Sequence, residues 1–121
     1  MNSQNRQILY LILSVLGATL TWANNIEWMQ TLEVQGPAAL MQFWSDAFAT
    51  PVSSSLAWDI IIVFAMGFVF VLAESRRLKM KYWPVLYFVL GNVIAAAFIF
   101  PLFMFFRERR LDVLAEVTRE P

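Results

Sequence analysis

Residues 56–73 read LAWDIIIVFAMGFVFVLA, eighteen positions carrying a single charge, Asp59. A helix rises about 1.5 Å per residue and a bilayer's hydrocarbon core is about 30 Å thick, so about 20 such residues cross it. Residues 8–23 and 83–106 have the same apolar character. The chain is 121 residues long, 60% hydrophobic and only 15% charged, which is too apolar for an ordinary soluble domain and too short for two domains. The expected fold is therefore all-α and integral to a membrane. One domain, residues 1–121, would hold three transmembrane helices at 8–23, 56–73 and 83–106. A charged amphipathic tail, 107–121, would follow the third.

What the chain lacks excludes most chemistry. It has no cysteine and no histidine, so it offers no disulfide, thiolate, iron–sulfur ligand, imidazole metal ligand or histidine base for a serine nucleophile. Its nine acidic residues are scattered, with no two on one face of an apolar segment. No metal site and no catalytic residue is expected. Net charge is zero, which gives no long-range attraction to nucleic acid.

The first apolar segment has the outline of a signal peptide, with Arg6 ahead of it and Thr21-Trp22-Ala23 as a cleavage-like end. It also carries Gln7, Tyr10, Ser14, Gly17 or Ala18, and Thr21 on one helix face, a packing stripe that a cleaved signal would not use. The third segment opens with Lys81-Tyr82-Trp83-Pro84, where proline in the first turn costs no hydrogen bond and the aromatics suit the headgroup region. Its middle places Gly91, Asn92, Ala95 and Ala96 on a close-approach face, with the Asn92 amide able to bond across helices. Pro101 removes the hydrogen bond to the Ala97 carbonyl and predicts a kink there. The bland reading of this face is helix packing. The sharper one is a bound lipid, carotenoid or quinone, and no other cofactor is expected.

Residues 24–55 are too many for a structureless loop. Between Gly36-Pro37 and Thr50-Pro51, Leu40, Met41, Trp44, Ala47 and Phe48 share one face. The pattern predicts a helix over residues 37–49, lying in the interface or dipping between the spans.

No lysine or arginine occurs from Gln7 to Ser75, and then Arg76, Arg77, Lys79 and Lys81 crowd one short turn. Positive residues stay on the cytoplasmic side, which puts that turn and the amino terminus inside and the acidic loop outside. Three crossings then carry Arg107, Arg109 and Arg110 outside, against the same rule. On that topology Asp59 shares a surface with the arginines, so an Asp59–Arg107 pair is expected. With Ser55 as N-cap, Asp59 would also sit in the first turn of its helix, where the dipole favours an anion. The alternative roles for Asp59 are a ligand or proton site and plain interfacial solvation.

The stretches FATPVSSSLAWD (48–59), ESRRLKMKYWPVL (74–86) and FIFPLFMFFRERR (98–110) resemble, in order and spacing, the three-helix membrane proteins of bacteria and algae grouped as domain of unknown function 2834. The resemblance implies a bacterial inner membrane, cytoplasmic or photosynthetic, and a recurring trio of Asp59, Glu74 and Arg107. It implies no reaction. Two functions follow as expectations. The first is a non-catalytic accessory subunit or assembly factor of a larger membrane complex, docking through the charged tail and helix faces. The second is a lipid-substrate enzyme such as a half-sized carotenoid or terpenoid cyclase, with Asp59 or Glu74 protonating a double bond.

Overall fold

The computed structural model describes residues 1–120, which form five α-helices: α1 (Ser3–Met29), α2 (Pro37–Ala47), α3 (Pro51–Leu78), α4 (Trp83–Val93) and α5 (Ala96–Arg119). α1 and α3, at 27 and 28 residues, are long and apolar enough to cross a membrane, whereas α4 has only 11. At about 1.5 Å per residue, α4 reaches about 16 Å, half of a bilayer core.

The expected third span is two helices. α4 ends at Val93, Ile94 turns, Ala95 is extended, and α5 begins at Ala96. Gly91 and Asn92 are helix-ending residues just before the break, whereas Pro101 stays inside α5 without ending it. The expected kink at Pro101 thus lies six positions earlier. Beyond the turn the chain folds back along α4. Trp83 meets Phe103 and Phe106 at ring separations of 5.5 and 5.3 Å, and Gly91 lies against Ile99, a pairing that only an antiparallel hairpin produces. The core is built where this hairpin meets α3: Val71, Tyr87, Ile99 and Phe103 are fully buried, with Phe64, Phe68 and Leu90 packed round them. Tyr87 donates its hydroxyl to the Phe64 carbonyl at 3.2 Å, and a side chain at Gly67 would overlap that hydroxyl.

α1 packs along α5 on its other side. The face of Gln7, Tyr10, Ser14, Gly17, Ala18 and Thr21 turns inward, as the stripe predicts, and Ser14 is buried. Ser14 Oγ donates to the Phe98 carbonyl at 2.8 Å, and the Trp22 indole donates to the Ile94 carbonyl at 2.9 Å. The second bond closes an accounting problem, since a break in helical backbone away from water must find its hydrogen bonds within the protein. Pro101 leaves the Ala97 carbonyl without its helical donor, and that carbonyl lies against Gly17, where any Cβ would overlap it. Among the described residues α1 and α3 do not approach one another, because the α4–α5 hairpin stands between them.

α3 starts earlier than expected. Thr50, not Ser55, is its N-cap: Thr50 Oγ1 accepts from the Ser53 amide and Ser53 Oγ from the Thr50 amide, both at 3.1 Å, with Pro51 in the first turn. Asp59 is therefore in the third turn, beyond the reach of the dipole. At the other end Lys79 is left-handed, at φ 57°, and the Met80 amide bonds the Ser75 carbonyl at 2.8 Å, closing the helix in a Schellman turn. Glycine usually fills such a position, and a side chain there costs about 1–2 kcal/mol.

Candidate functional site

Folding α5 back along α4 returns the arginine cluster to the turn that α3 enters. Glu74 accepts from Arg77 on the next turn of α3, Oε1 from Nε and Oε2 from Nη2, both at 2.8 Å. Its Oε2 also accepts from Arg107 Nε of α5 at 2.5 Å. Arg107 reaches on to Glu108 at 3.5 Å, and Glu108 is held by Arg6 of α1 at 2.9 Å. Ser3 and Gln7 of α1 donate to Asp112 at 2.8 and 2.7 Å, and Arg110 Nε donates to the Leu78 carbonyl at 3.0 Å. A belt of charge thus ties α1, α3 and α5 at one level. Glu108 is 4% exposed and Arg107 also lies over the Phe70 ring at 5.8 Å, so the belt seals the apolar core from that end.

Of the predicted cluster, the structure brings Glu74, Arg77 and Arg107 together and places Arg110 beside them. Arg109 points away, over the Phe105 ring at 5.8 Å, and Arg76 is exposed. The expected Asp59–Arg107 pair does not form. Fifteen residues separate Asp59 from Glu74 along α3, about 22 Å of helix. Arg107 is at Glu74's end, so Asp59 is at the far one. Ala57, Ile61 and Phe64 turn toward the protein, while Asp59 lies on the opposite face with Ile62, Val63 and Met66, exposed and without a hydrogen-bond or ion-pair partner among the described residues. Gly91 and Ala95 sit at tight contacts, Gly91 against the Phe64 ring, with a Cβ 2.8 Å from Cζ, and Ala95 buried at the hairpin tip. Asn92 is exposed and bonds the Phe88 carbonyl of its own helix at 2.7 Å instead of crossing to another.

The cations collect at one end of the molecule. Ser3 bonded to Asp112 shows that the amino terminus and the tail share one end, where a straight third span would have put them at opposite ends. All nine lysines and arginines collect there with five acids, Glu74, Glu108, Asp112, Glu116 and Glu120, for a net side-chain charge of +4. The far half holds Glu27, Glu33, Asp46 and Asp59 and no cation, for a net of −4. At that end α2 is fastened by its aromatics and one acid. Trp28 of α1 donates to Asp46 at 2.7 Å, Gln42 donates to its other oxygen at 2.7 Å, and Phe48 meets Trp58 of α3 at 5.6 Å. The Trp28 bond first and the Gln42 bond second hold the Asp46 carboxyl below its ordinary pKa.

The Glu74 and Glu108 oxygens face guanidinium donors. Sequence reasoning missed Glu108, Arg6 and Tyr87. The signal for the first two was present: Phe98, Pro101, Phe105, Glu108 and Asp112 continue one helical stripe, and Ser3, Arg6 and Gln7 begin another, but nothing in one dimension says that the two meet.

No curated protein and no solved structure matches the chain. The profile of a protein family of unknown function, DUF2834, matches residues 9–109. That match runs from within α1 to Arg109 and takes in the Glu74–Arg107 pair and the α4–α5 hairpin, and the chain belongs to the DUF2834 family.

Proposed function

We propose that the protein is a non-catalytic subunit or assembly factor of a larger membrane complex, crossing the bilayer with α1 and α3 and dipping into it with the α4–α5 hairpin. On this reading the +4 end is cytoplasmic, because a hairpin returns every basic residue to one side and the positive-inside rule then meets no exception. Both termini lie inside and α2 lies along the outer surface, apolar side down. This topology replaces the three-crossing one, which required Arg107, Arg109 and Arg110 outside.

The observation that carries the subunit reading is Asp59. It stands on an outward apolar face, about 22 Å along α3 from the arginine belt, which on the proposed topology is a depth inside the hydrocarbon core. A carboxylate facing lipid is costly, and such residues pair with a donor or cation on a neighbouring helix. This chain supplies none at that depth, so a partner helix carrying Arg, Lys or an amide does. The exposed neighbours Ile62, Val63 and Met66 extend the same face.

Affinity purification from native membranes tests it. The wild type is expected to bring down stoichiometric larger membrane proteins, and Asp59→Asn and Asp59→Leu to lose them while the isolated protein keeps its fold in detergent. Purification alone with a bound apolar ligand, with Asp59→Asn changing nothing but turnover of that ligand, would favour a lipid-substrate enzyme and end this reading.

A further inference from the structure

The last turn of α3 and the first of α4 enclose an open groove of about 300 Å³ lined by Leu72, Ser75, Arg76, Lys79, Lys81 and Pro84. Five of the six other arginines of this end are engaged: Arg6, Arg77 and Arg107 by carboxylates, Arg110 by a carbonyl and Arg109 by a ring. The three cations of the groove have no carboxylate among the described residues, and no acid lines it. Ser75, 4% exposed, carries the one buried side-chain oxygen among the described residues that has no hydrogen-bond partner. Lys79 holds the left-handed position where glycine would be relaxed. Three cations without a carboxylate, one of them the strained Lys79 and one, Lys81, lying over the Tyr82 ring at 5.7 Å, therefore coincide with an orphan hydroxyl at one place, against an apolar floor of Leu72 and Pro84. The carbonyl end of α3 disfavours an anion here and the amide end of α4 favours one, so the cations decide the sign.

We propose that this groove binds the phosphate of an anionic phospholipid in the leaflet at the basic end, with Arg76, Lys79 and Lys81 round the phosphate oxygens, the Ser75 hydroxyl available as a donor, and an acyl chain against Leu72 and Pro84. The shared chemistry is a phosphate ester with an apolar tail, which a headgroup at the membrane surface supplies and a free phosphate does not. The inference rests on the membrane reading of α1 and α3. A lysine or arginine near an anionic surface strengthens binding about five-fold each.

The test is native mass spectrometry of the full chain in a non-ionic detergent, titrated separately with phosphatidylglycerol, phosphatidylcholine, glycerol 3-phosphate and inorganic phosphate. One phosphatidylglycerol should be retained in preference to phosphatidylcholine, and neither soluble phosphate should compete at matched concentration. Lys79→Gly and Lys81→Gln should each weaken retention about five-fold, and the pair more than ten-fold. Lys79→Gly also relieves the left-handed residue, so the same variant should raise thermal stability without lipid, a combination that general damage cannot produce. Arg109→Gln, which removes a cation outside the groove, should leave retention unchanged. Equal losses in Arg109→Gln and Lys79→Gly, equal retention of phosphatidylcholine, or competition by glycerol 3-phosphate would each overturn the site. Alkaline carbonate washing of cell membranes separates the two levels: release of the protein would remove the membrane reading itself, whereas retention with no lipid preference would remove the groove alone.

Discussion

Gly17 is where the packing of α1 can be tested with one methyl group. In Gly17→Ala the new Cβ would overlap the Ala97 carbonyl oxygen and lie 2.5 Å from its carbon and 2.9 Å from the Ala97 Cβ. These are backbone atoms and a Cβ, with no flexible end to swing aside, so α1 must retreat by about 1 Å to restore ordinary contact. A gap of 0.5–1 Å forfeits about a quarter to a half of the dispersion energy along the seam. It also stretches the Ser14–Phe98 and Trp22–Ile94 hydrogen bonds, now 2.8 and 2.9 Å, each worth about 0.6–1 kcal/mol in such a setting. With overpacking strain of about 1–3 kcal/mol, the expected loss is about 2–4 kcal/mol. Unfolding of the detergent-solubilised protein by increasing SDS, followed by tryptophan fluorescence, measures it. Ser14→Ala should cost only about 1 kcal/mol, since the Phe98 carbonyl keeps its helical environment, and Val15→Ala, at an exposed position, about nothing. A Gly17→Ala variant as stable as Val15→Ala would refute the close α1–α5 seam, and with it the path of the hairpin.

The charge belt predicts coupling between Glu74 and Arg107: Glu74→Gln and Arg107→Gln should each destabilise by about 1–3 kcal/mol, and the double variant by less than their sum. Asp59→Asn with Arg107→Gln should be additive in the isolated protein, and coupling between those two would restore the pairing the structure replaces. Cysteines replacing Arg77 and Arg119 should both be labelled from the cytoplasmic side, and one replacing Gln35 only from outside; labelling of Arg77 and Arg119 from opposite sides would return the third crossing. Because Asp46 is held below its ordinary pKa, its contribution to anchoring α2 is fully present above the unfolded carboxylate value of about 3.9 and is lost as pH falls through the lowered folded value. Trp28 fluorescence should accordingly be flat from pH 8 to pH 5 and change only in stronger acid, and Asp46→Asn should abolish that transition.

Local chemistry was enough to locate α1, α2 and α3. Apolar runs of spanning length mark α1 and α3, the small-residue stripe marks the face of α1 that packs, and Gly36-Pro37 and Thr50-Pro51 bracket α2. Each signal is contained within a few turns of chain, because helical periodicity and capping are properties of neighbours in sequence. The N-cap at Thr50 was legible by the same logic, from Thr-Pro-x-Ser, although Ser55 also fits the pattern. What sequence could not decide was whether residues 83–106 run on or turn back. The run is long enough to cross, Pro101 suggests the wrong place for the interruption, and the break at Ile94 and Ala95 is held by an indole from Trp22, more than seventy residues away. That one turn carries the arginines back to the end of the molecule that holds Glu74. It gives Arg107 to Glu74 rather than Asp59, gathers all nine cations at one end, and leaves Asp59 alone on the outward face. Burial and pairing are relations between distant segments, so tertiary structure alone decided which charges meet and where α4 gives way to α5, whereas the apolar runs of α1 and α3, the packing stripe of α1 and the bracketing of α2 were written in the chain.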